Sequence, residues 1–116
     1  MPFTSAPDYD AEQVRFADLE GQYGVLEPTE VIPSVETRFG FRPAVDCIFW
    51  RLEGDALVPV SGIRIFSKKL IESLTVALRT KSAIAGEVYK DGQSTRIRNA
   101  PPKVMEYMGE LYSKIR

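Results

Sequence analysis

The chain has 116 residues, 44% of them hydrophobic and 27% charged, which is typical of one globular domain with a single core. It has no histidine and one cysteine, so the composition excludes histidine general bases, Ser-His-Asp triads, imidazole-ligated zinc sites and intramolecular disulfides. No apolar run approaches the roughly 18 residues of a membrane span, and the N-terminus lacks a secretory pattern. We therefore expect a cytoplasmic protein that does not bind membranes, is not an enzyme and uses no cofactor or metal.

Charge is distributed unevenly along the chain. Residues 1–60 carry four basic and eleven acidic side chains, whereas residues 61–116 carry eleven basic and five acidic ones. This division predicts a basic surface or a charged partner, unless the two halves interleave in the fold and neutralise each other.

The first part of the chain predicts an arm and one long strand. Residues 1–12 contain prolines and acidic residues without hydrophobic periodicity, which predicts a flexible N-terminal arm. One or two helical turns are expected over Ala11–Leu19, and a first strand over Gln22–Thr37. Pro28 and Pro33 remove two backbone donors, so this strand is expected to lie partly at a sheet edge, or to break or bend near the prolines.

A loop is predicted over Arg38–Pro43. Within it, Phe39 and Phe41 alternate with Arg38 and Arg42. Two aromatic rings are costly to expose in a loop unless they pack or bind something. The rings are therefore expected either to bind a ligand or to fold back into the core.

The second strand is predicted over Ala44–Leu52, where apolar residues alternate. Val45, Cys47 and Phe49 share one face, which fits an interior. Trp50 lies on the opposite face. It is expected either to be exposed there or to be covered by the C-terminal helix.

The third strand is predicted over Leu57–Phe66. Arg64 and Phe66 share the face opposite to its inward isoleucines. If the outer faces of the second and third strands coincide, Trp50, Arg64 and Phe66 are neighbours.

A helix is predicted over Ser67–Thr80, with Ser67 as its N-cap. Its apolar residues have the spacing of one buried stripe: Leu70, Ile71, Leu74, Ala77 and Leu78. Lys68 and Lys69 occupy the first turn, which is unfavourable for the helix dipole. These charges are either tolerated there or form part of an anion site.

The remaining chain predicts a hairpin and a second helix. Strands are expected over Ser82–Lys90 and Thr95–Asn99, joined at Asp91-Gly92, a strong hairpin signal. An amphipathic helix is predicted over Pro101–Arg116. This helix is expected to pack on the domain or to dock another subunit, which would make the protein a homo-oligomer.

Five strands with a helix between the third and the fourth predict a small Greek-key barrel of the OB type, over residues 13–100, followed by the C-terminal helix. OB barrels bind oligonucleotides across strands two and three, between the loops that join strands one to two and four to five. Aromatic rings suit bases and cations suit phosphates. Such residues fall at these places: Arg38, Phe39, Phe41, Arg42, Trp50, Arg51, Arg64, Phe66, Lys68, Lys69, Tyr89, Lys90, Arg96 and Arg98.

The segments FADLEGQYGVLEPTEV, ETRFGFRPAVDCIFWRLEGD, GIRIFSKKL and IAGEVYKDG resemble small tailed-phage proteins of the OB-fold single-stranded DNA-binding type. The resemblance covers about residues 16–92 and implies a protein of phage replication or recombination, acting in the cytoplasm of a bacterial host. The C-terminus differs from the acidic tail of bacterial single-strand binders. A non-enzymatic protein-interaction module, or a phage structural or assembly component, is the alternative expectation.

Overall fold

The computed structural model describes residues 15–116, so the predicted arm over residues 1–12 lies outside the described residues. The elements follow one another as a 3-10 helix (Phe16–Leu19), β1 (Tyr23–Thr37), β2 (Gly40–Glu53), β3 (Ala56–Ile65), α1 (Lys68–Arg79), β4 (Ile84–Asp91), β5 (Ser94–Arg98) and α2 (Pro102–Ile115). The fold is of the α+β class. The predicted order of five strands, with one helix after the third and one at the C-terminus, is confirmed.

All five strands form one antiparallel sheet in the order β3-β2-β1-β4-β5. The central strand β1 pairs with β2 along most of its length, and with β4 only over Tyr23–Leu26. In the described chain β3 and β5 are the two edges and do not pair with each other. The sequence predicts an OB-like Greek-key barrel, whereas the sheet observed here is open between β3 and β5, so a barrel is not formed by strand pairing.

Both faces of the sheet carry an apolar layer. One core contains Val45, Cys47 and Phe49 of β2 and is covered by α1, as the alternation in β2 predicts. The second core lies on the opposite face, where Trp50 packs in one cluster with Met108 of α2. Trp50 is therefore covered by the C-terminal helix, which was one of the two expectations for it.

Helix α1 buries the predicted stripe. Leu70 and Leu74 are buried in the first core, Ile71 is packed at its margin, and Ala77 is also buried. Ser67 stands at the N-cap position, although its hydroxyl makes no capping hydrogen bond. Neither helix of the described residues has the length and hydropathy that crossing a membrane requires.

The predicted loop over Arg38–Pro43 is wrong. Strand β2 already begins at Gly40, which pairs with Thr37, and only Arg38 and Phe39 form the turn. Gly40 has a φ of 101°, a conformation that favours glycine. Because β1 is long enough to pair with these residues, they extend the hairpin instead of forming a loop.

The two prolines of β1 lie in the part of the strand that pairs with β2 alone. A register shift occurs beside each of them, between Pro28 and Glu30 and between Ile32 and Val35. Proline has no backbone N–H to donate, and this loss is tolerated where one side of the strand has no pairing partner. Of the two expectations, the strand lies partly at an edge and does not break, and its register shifts fall near the prolines.

Two glycines face each other where β1 and β4 pair, Gly24 opposite Gly86. A Cβ atom on Gly86 would overlap the carbonyl group of Arg98 on β5. We expect Gly86→Ala to destabilise the protein by about 1–3 kcal/mol, because the backbone of β5 must move. Urea denaturation followed by circular dichroism measures this change.

The matched control for this substitution is Gly109→Ala. Gly109 is exposed on α2, and a Cβ atom there would have no neighbour within 4 Å. Since alanine favours helices over glycine, this variant should be about 0.5–1 kcal/mol more stable. Equal effects of the two substitutions would contradict the close approach of β4 and β5.

Candidate nucleic-acid interface

Two adjoining cavities lie between the end of β3, the start of α1 and the β4–β5 hairpin. We call the first the arginine cavity; its volume is about 300 Å³ and it is lined by Phe16, Arg42, Arg64, Ile65, Phe66, Ser67, Gln93, Ser94 and Thr95. We call the second the lysine cavity; its volume is about 270 Å³ and it is lined by Ser67, Lys69, Leu70, Ser73, Ile84, Tyr89, Arg96 and Ile97. Both include Ser67, and together they form what we call the cleft.

The arginine cavity brings together three predicted site residues, Arg42, Arg64 and Phe66. Arg64 donates two hydrogen bonds to Asp46, from Nε to Oδ1 at 2.7 Å and from Nη2 to Oδ2 at 3.1 Å. The Asp46 carboxylate raises the pKa of Arg64 and holds its guanidinium in one orientation. Arg42 makes no ion pair with the described residues, so its charge is available to a ligand.

The lysine cavity holds three more of the predicted residues, Lys69, Tyr89 and Arg96. Arg96 lies 3.5 Å from Asp91, and its Nε has no hydrogen-bond partner among the described residues. Arg98 stacks on the Tyr89 ring, with its guanidinium carbon 4.6 Å from the ring centroid. No carboxylate of the described residues lines either cavity of the cleft, and the two lining charges without an ion pair, Arg42 and Lys69, are both positive.

Three more of the predicted site residues, Arg38, Phe39 and Phe41, lie at the tip of the β1–β2 hairpin. Phe39 is 81% exposed and Phe41 is 72% exposed, so the expectation that they fold back into the core is wrong. The guanidinium carbon of Arg38 lies 5.9 Å from the Phe39 ring centroid. Arg42 follows Phe41 in β2 and lines the arginine cavity, whereas Phe41, on the opposite face of the strand, lines neither cavity.

Eight of the predicted residues do not line the cleft: the three at the hairpin tip, Arg98 and four others. Trp50 lies under α2, and Arg51 makes an ion pair of 3.2 Å with Glu53. The remaining two, Lys68 and Lys90, are exposed and line neither cavity.

The conditional prediction that Trp50, Arg64 and Phe66 are neighbours is wrong. Trp50 pairs with Pro59, whereas Arg64 pairs with Asp46, four residues before Trp50 along β2. Phe66 follows the end of β3 and lines the arginine cavity instead. The alternation in β2 and β3 correctly predicted which residues point outward. The pairing register decides which of these outward residues lie side by side.

Sequence reasoning missed some of the cleft. Phe16 and the β4–β5 turn contribute to the arginine cavity, although they are far apart in the chain. Arg15 lines a neighbouring depression with Arg64 and Phe66. No local pattern marks these residues, because only the tertiary fold brings them together.

A second cluster, which the sequence did not suggest, joins α2 to the sheet around the Glu27 carboxylate. Its oxygens accept hydrogen bonds from Trp50 Nε1 at 3.0 Å and Tyr112 Oη at 2.8 Å, and two from the Arg116 guanidinium, each at 2.8 Å. The hydrogen bonds from Arg116, followed by those from the two rings, lower the pKa of Glu27 to about 2 despite its partial burial. We call this set the Glu27 cluster.

Two further observations bear on chemistry. Burial, followed by the nearby Asp46 charge, raises the pKa of the Cys47 thiol to about 12, which suppresses its thiolate and hence its nucleophilicity. Within residues 15–116, no three His, Cys, Asp or Glu side chains are grouped as metal ligands would be. Comparison with protein-family models, curated proteins and solved structures finds no match to this chain.

Proposed function

We propose that the protein is an OB-like single-stranded DNA-binding protein whose ligand lies in the cleft. The strand order supports an OB-like arrangement, because β1 lies between β2 and β4 and the chain forms the hairpins of that topology. The edges β3 and β5, which a closed barrel would join, border the cleft.

One observation carries the proposal. The arginine cavity is lined at once by the β1–β2 hairpin through Arg42, by the end of β3 through Arg64 and Phe66, and by the β4–β5 turn. OB barrels bind oligonucleotides between these two connections. The lysine cavity extends the same basic lining past Tyr89.

The chemistry of the cleft suits a polynucleotide strand. Successive phosphates of a strand need cations along a path, and bases need flat rings beside it. Arg42 and Lys69 supply cations without ion-pair partners among the described residues, and Phe66 and Tyr89 supply rings. Trp50 and Arg51 are left out of this interface, since they lie away from the cleft. The resemblance to phage proteins supports a role in phage replication or recombination in the host cytoplasm.

The proposal is tested by reversing one charge of the cleft. Arg42→Glu should lower the affinity for an oligo-dT strand about tenfold or more at low salt, because a phosphate contact becomes a repulsion. The slope of log affinity against log salt concentration should fall by about 0.7, the value for one contact with a single strand. Isothermal titration calorimetry at several salt concentrations measures both quantities.

The control is Lys103→Glu, which makes the same charge change on α2, away from the cleft. If both variants weaken binding equally, the cleft is not the path of the strand. If the wild-type protein binds no oligo-dT at all, the proposed function is wrong.

Exposed apolar residues on α2 favour a second candidate function, a non-enzymatic interaction or assembly module. Tyr107 and Ile115 are 36% and 37% exposed, on a helix whose Met108 is fully buried. An oligomer that leaves oligo-dT unbound in the same titrations would establish this alternative.

A further inference from the structure

The β1–β2 hairpin extends beyond the rest of the sheet as a two-stranded arm over residues 32–44. In this arm β1 has no pairing with β4, and β2 has no pairing with β3. A two-stranded hairpin alone is only marginally stable in water. The arm nevertheless carries the two most exposed large apolar side chains of the described residues, Phe39 and Phe41. Both features indicate that another surface covers the arm.

This surface is expected to contact a face of the arm rather than one of its edges. Each strand of the arm contains a proline, Pro33 or Pro43, which cannot donate a backbone hydrogen bond to an added strand. Phe41 pairs across the arm with Glu36, so their side chains share one face. Arg42 lies on the opposite face and lines the cleft, so the exposed Phe41 ring faces away from the cleft.

The charges and rings near the tip follow an order that is complementary to itself. Toward the tip, the arm has three rows of two residues: Glu36 with Phe41, Thr37 with Gly40, and Arg38 with Phe39. The first row combines an acid with a ring. The third row combines a base with a ring, since the guanidinium carbon of Arg38 lies 5.9 Å from the Phe39 ring centroid. Neither Glu36 nor Arg38 has an ion-pair partner among the described residues.

A second copy of the chain matches this order. Arg38 and Phe39 are exposed at the end of the arm, where a molecule packed on the Phe41 face can contact them. A twofold axis through the middle row would place the first row of each copy against the third row of the other. Glu36 would then meet Arg38, and Phe41 would meet Phe39, twice in the same contact. Such self-complementarity is what a twofold interface requires.

The local hydrogen bonds of the tip favour this contact. Thr37 Oγ1 accepts a hydrogen bond from the Phe39 amide at 3.1 Å and donates one to the Gly40 carbonyl at 2.7 Å. The rows are therefore held in place before two copies meet, which lowers the entropy that association costs.

We propose that the protein forms a homodimer through the tips of two arms, with Glu36 of each copy paired to Arg38 of the other and Phe41 packed on Phe39. An aromatic side chain buries about 150–250 Å². The four rings thus bury several hundred Å², less than the roughly 1,200–2,000 Å² of stable complexes, so the dimer is weak and dissociates on dilution. The inference does not rest on the proposed function, and the dimer leaves both clefts open because Arg42 lies on the other face.

The test measures self-association in the absence of nucleic acid, by sedimentation velocity from micromolar to millimolar protein concentrations. The wild-type protein should dimerise as its concentration rises. Glu36→Arg and Arg38→Glu should each weaken the dimer about tenfold or more, because each variant places like charges opposite one another. An equimolar mixture of the two variants should form a heterodimer about as tight as the wild-type dimer, since every charge then meets its opposite.

Two further variants locate the contact. Phe39→Ala with Phe41→Ala should weaken the dimer about tenfold or more, because the rings are its anchors. Val76→Ala removes an exposed apolar side chain from α1, where Val76 is 55% exposed, and should leave the dimer unchanged. Circular dichroism checks that each variant is folded.

Three results would overturn the inference: a wild-type protein that stays monomeric, a dimer that persists in the double alanine variant, and folded charge variants that do not associate when mixed. The second result would place the contact on another surface, such as α2. A dimer that behaves as expected but binds no oligo-dT would support this inference and overturn the proposed function alone.

Discussion

Replacing Phe49 with alanine is expected to destabilise the protein by about 3–5 kcal/mol. Phe49 is fully buried in the core under α1 and is the largest of the fully buried side chains. Its ring occupies the space beside Gly24 on β1, where a Cβ atom would collide with the ring. Removing the ring leaves a cavity that the neighbouring glycine has no side chain to fill.

This loss would be a large fraction of the 5–15 kcal/mol by which a domain of this kind is stable. Urea denaturation followed by circular dichroism measures it. Phe41→Ala is the matched control, because it removes the same atoms from an exposed position of the same strand. The control should change stability by no more than about 0.5 kcal/mol, and similar losses in both variants would contradict the assignment of the core.

Glu27→Gln is expected to destabilise the protein by about 1–3 kcal/mol at neutral pH. The Glu27 carboxylate is the shared acceptor for Trp50, Tyr112 and Arg116. An amide has one acceptor oxygen and no charge, so at least one donor of the cluster loses its partner. Because Arg116 is half exposed, solvent screening reduces what its ion pair contributes to stability.

The same substitution has a pH dependence with a defined sign. The pKa of Glu27 falls from its usual 4.5 to about 2 in the folded protein, so the fold is stabilised by the ionised form. This contribution is complete above about pH 4.5 and is lost as the pH falls toward about 2. The difference between wild type and Glu27→Gln should therefore shrink over that interval. A difference that stays constant from about pH 7 down to about pH 3 would show that the carboxylate is not held as described.

Much of the fold could be predicted from local patterns. The alternation of Val45, Cys47 and Phe49 indicated the buried face of β2, and the spacing of Leu70 and Leu74 indicated the buried stripe of α1. Local patterns failed where pairing with a distant segment decides the outcome. Gly40 and Pro43 are typical of a loop, yet β1 pairs with this segment and makes it a strand.

The candidate site could be predicted only in part, for the same reason. Alternation placed Trp50 on the outer face of the sheet, but it could not show that α2 covers that face. The cations and rings of the cleft were found because the predicted topology brings the two hairpins together. Phe16 was missed, since nothing near it in the chain shows that it lies beside Arg42.

The position of Trp50 has a consequence for spectroscopy. It is the only tryptophan of the chain, and its indole N–H is bonded to Glu27 beneath α2 rather than facing the cleft. Its emission therefore reports how α2 is seated on the sheet. A spectral change on adding DNA would indicate that the helix moves, and an unchanged spectrum would be compatible with a fully occupied cleft.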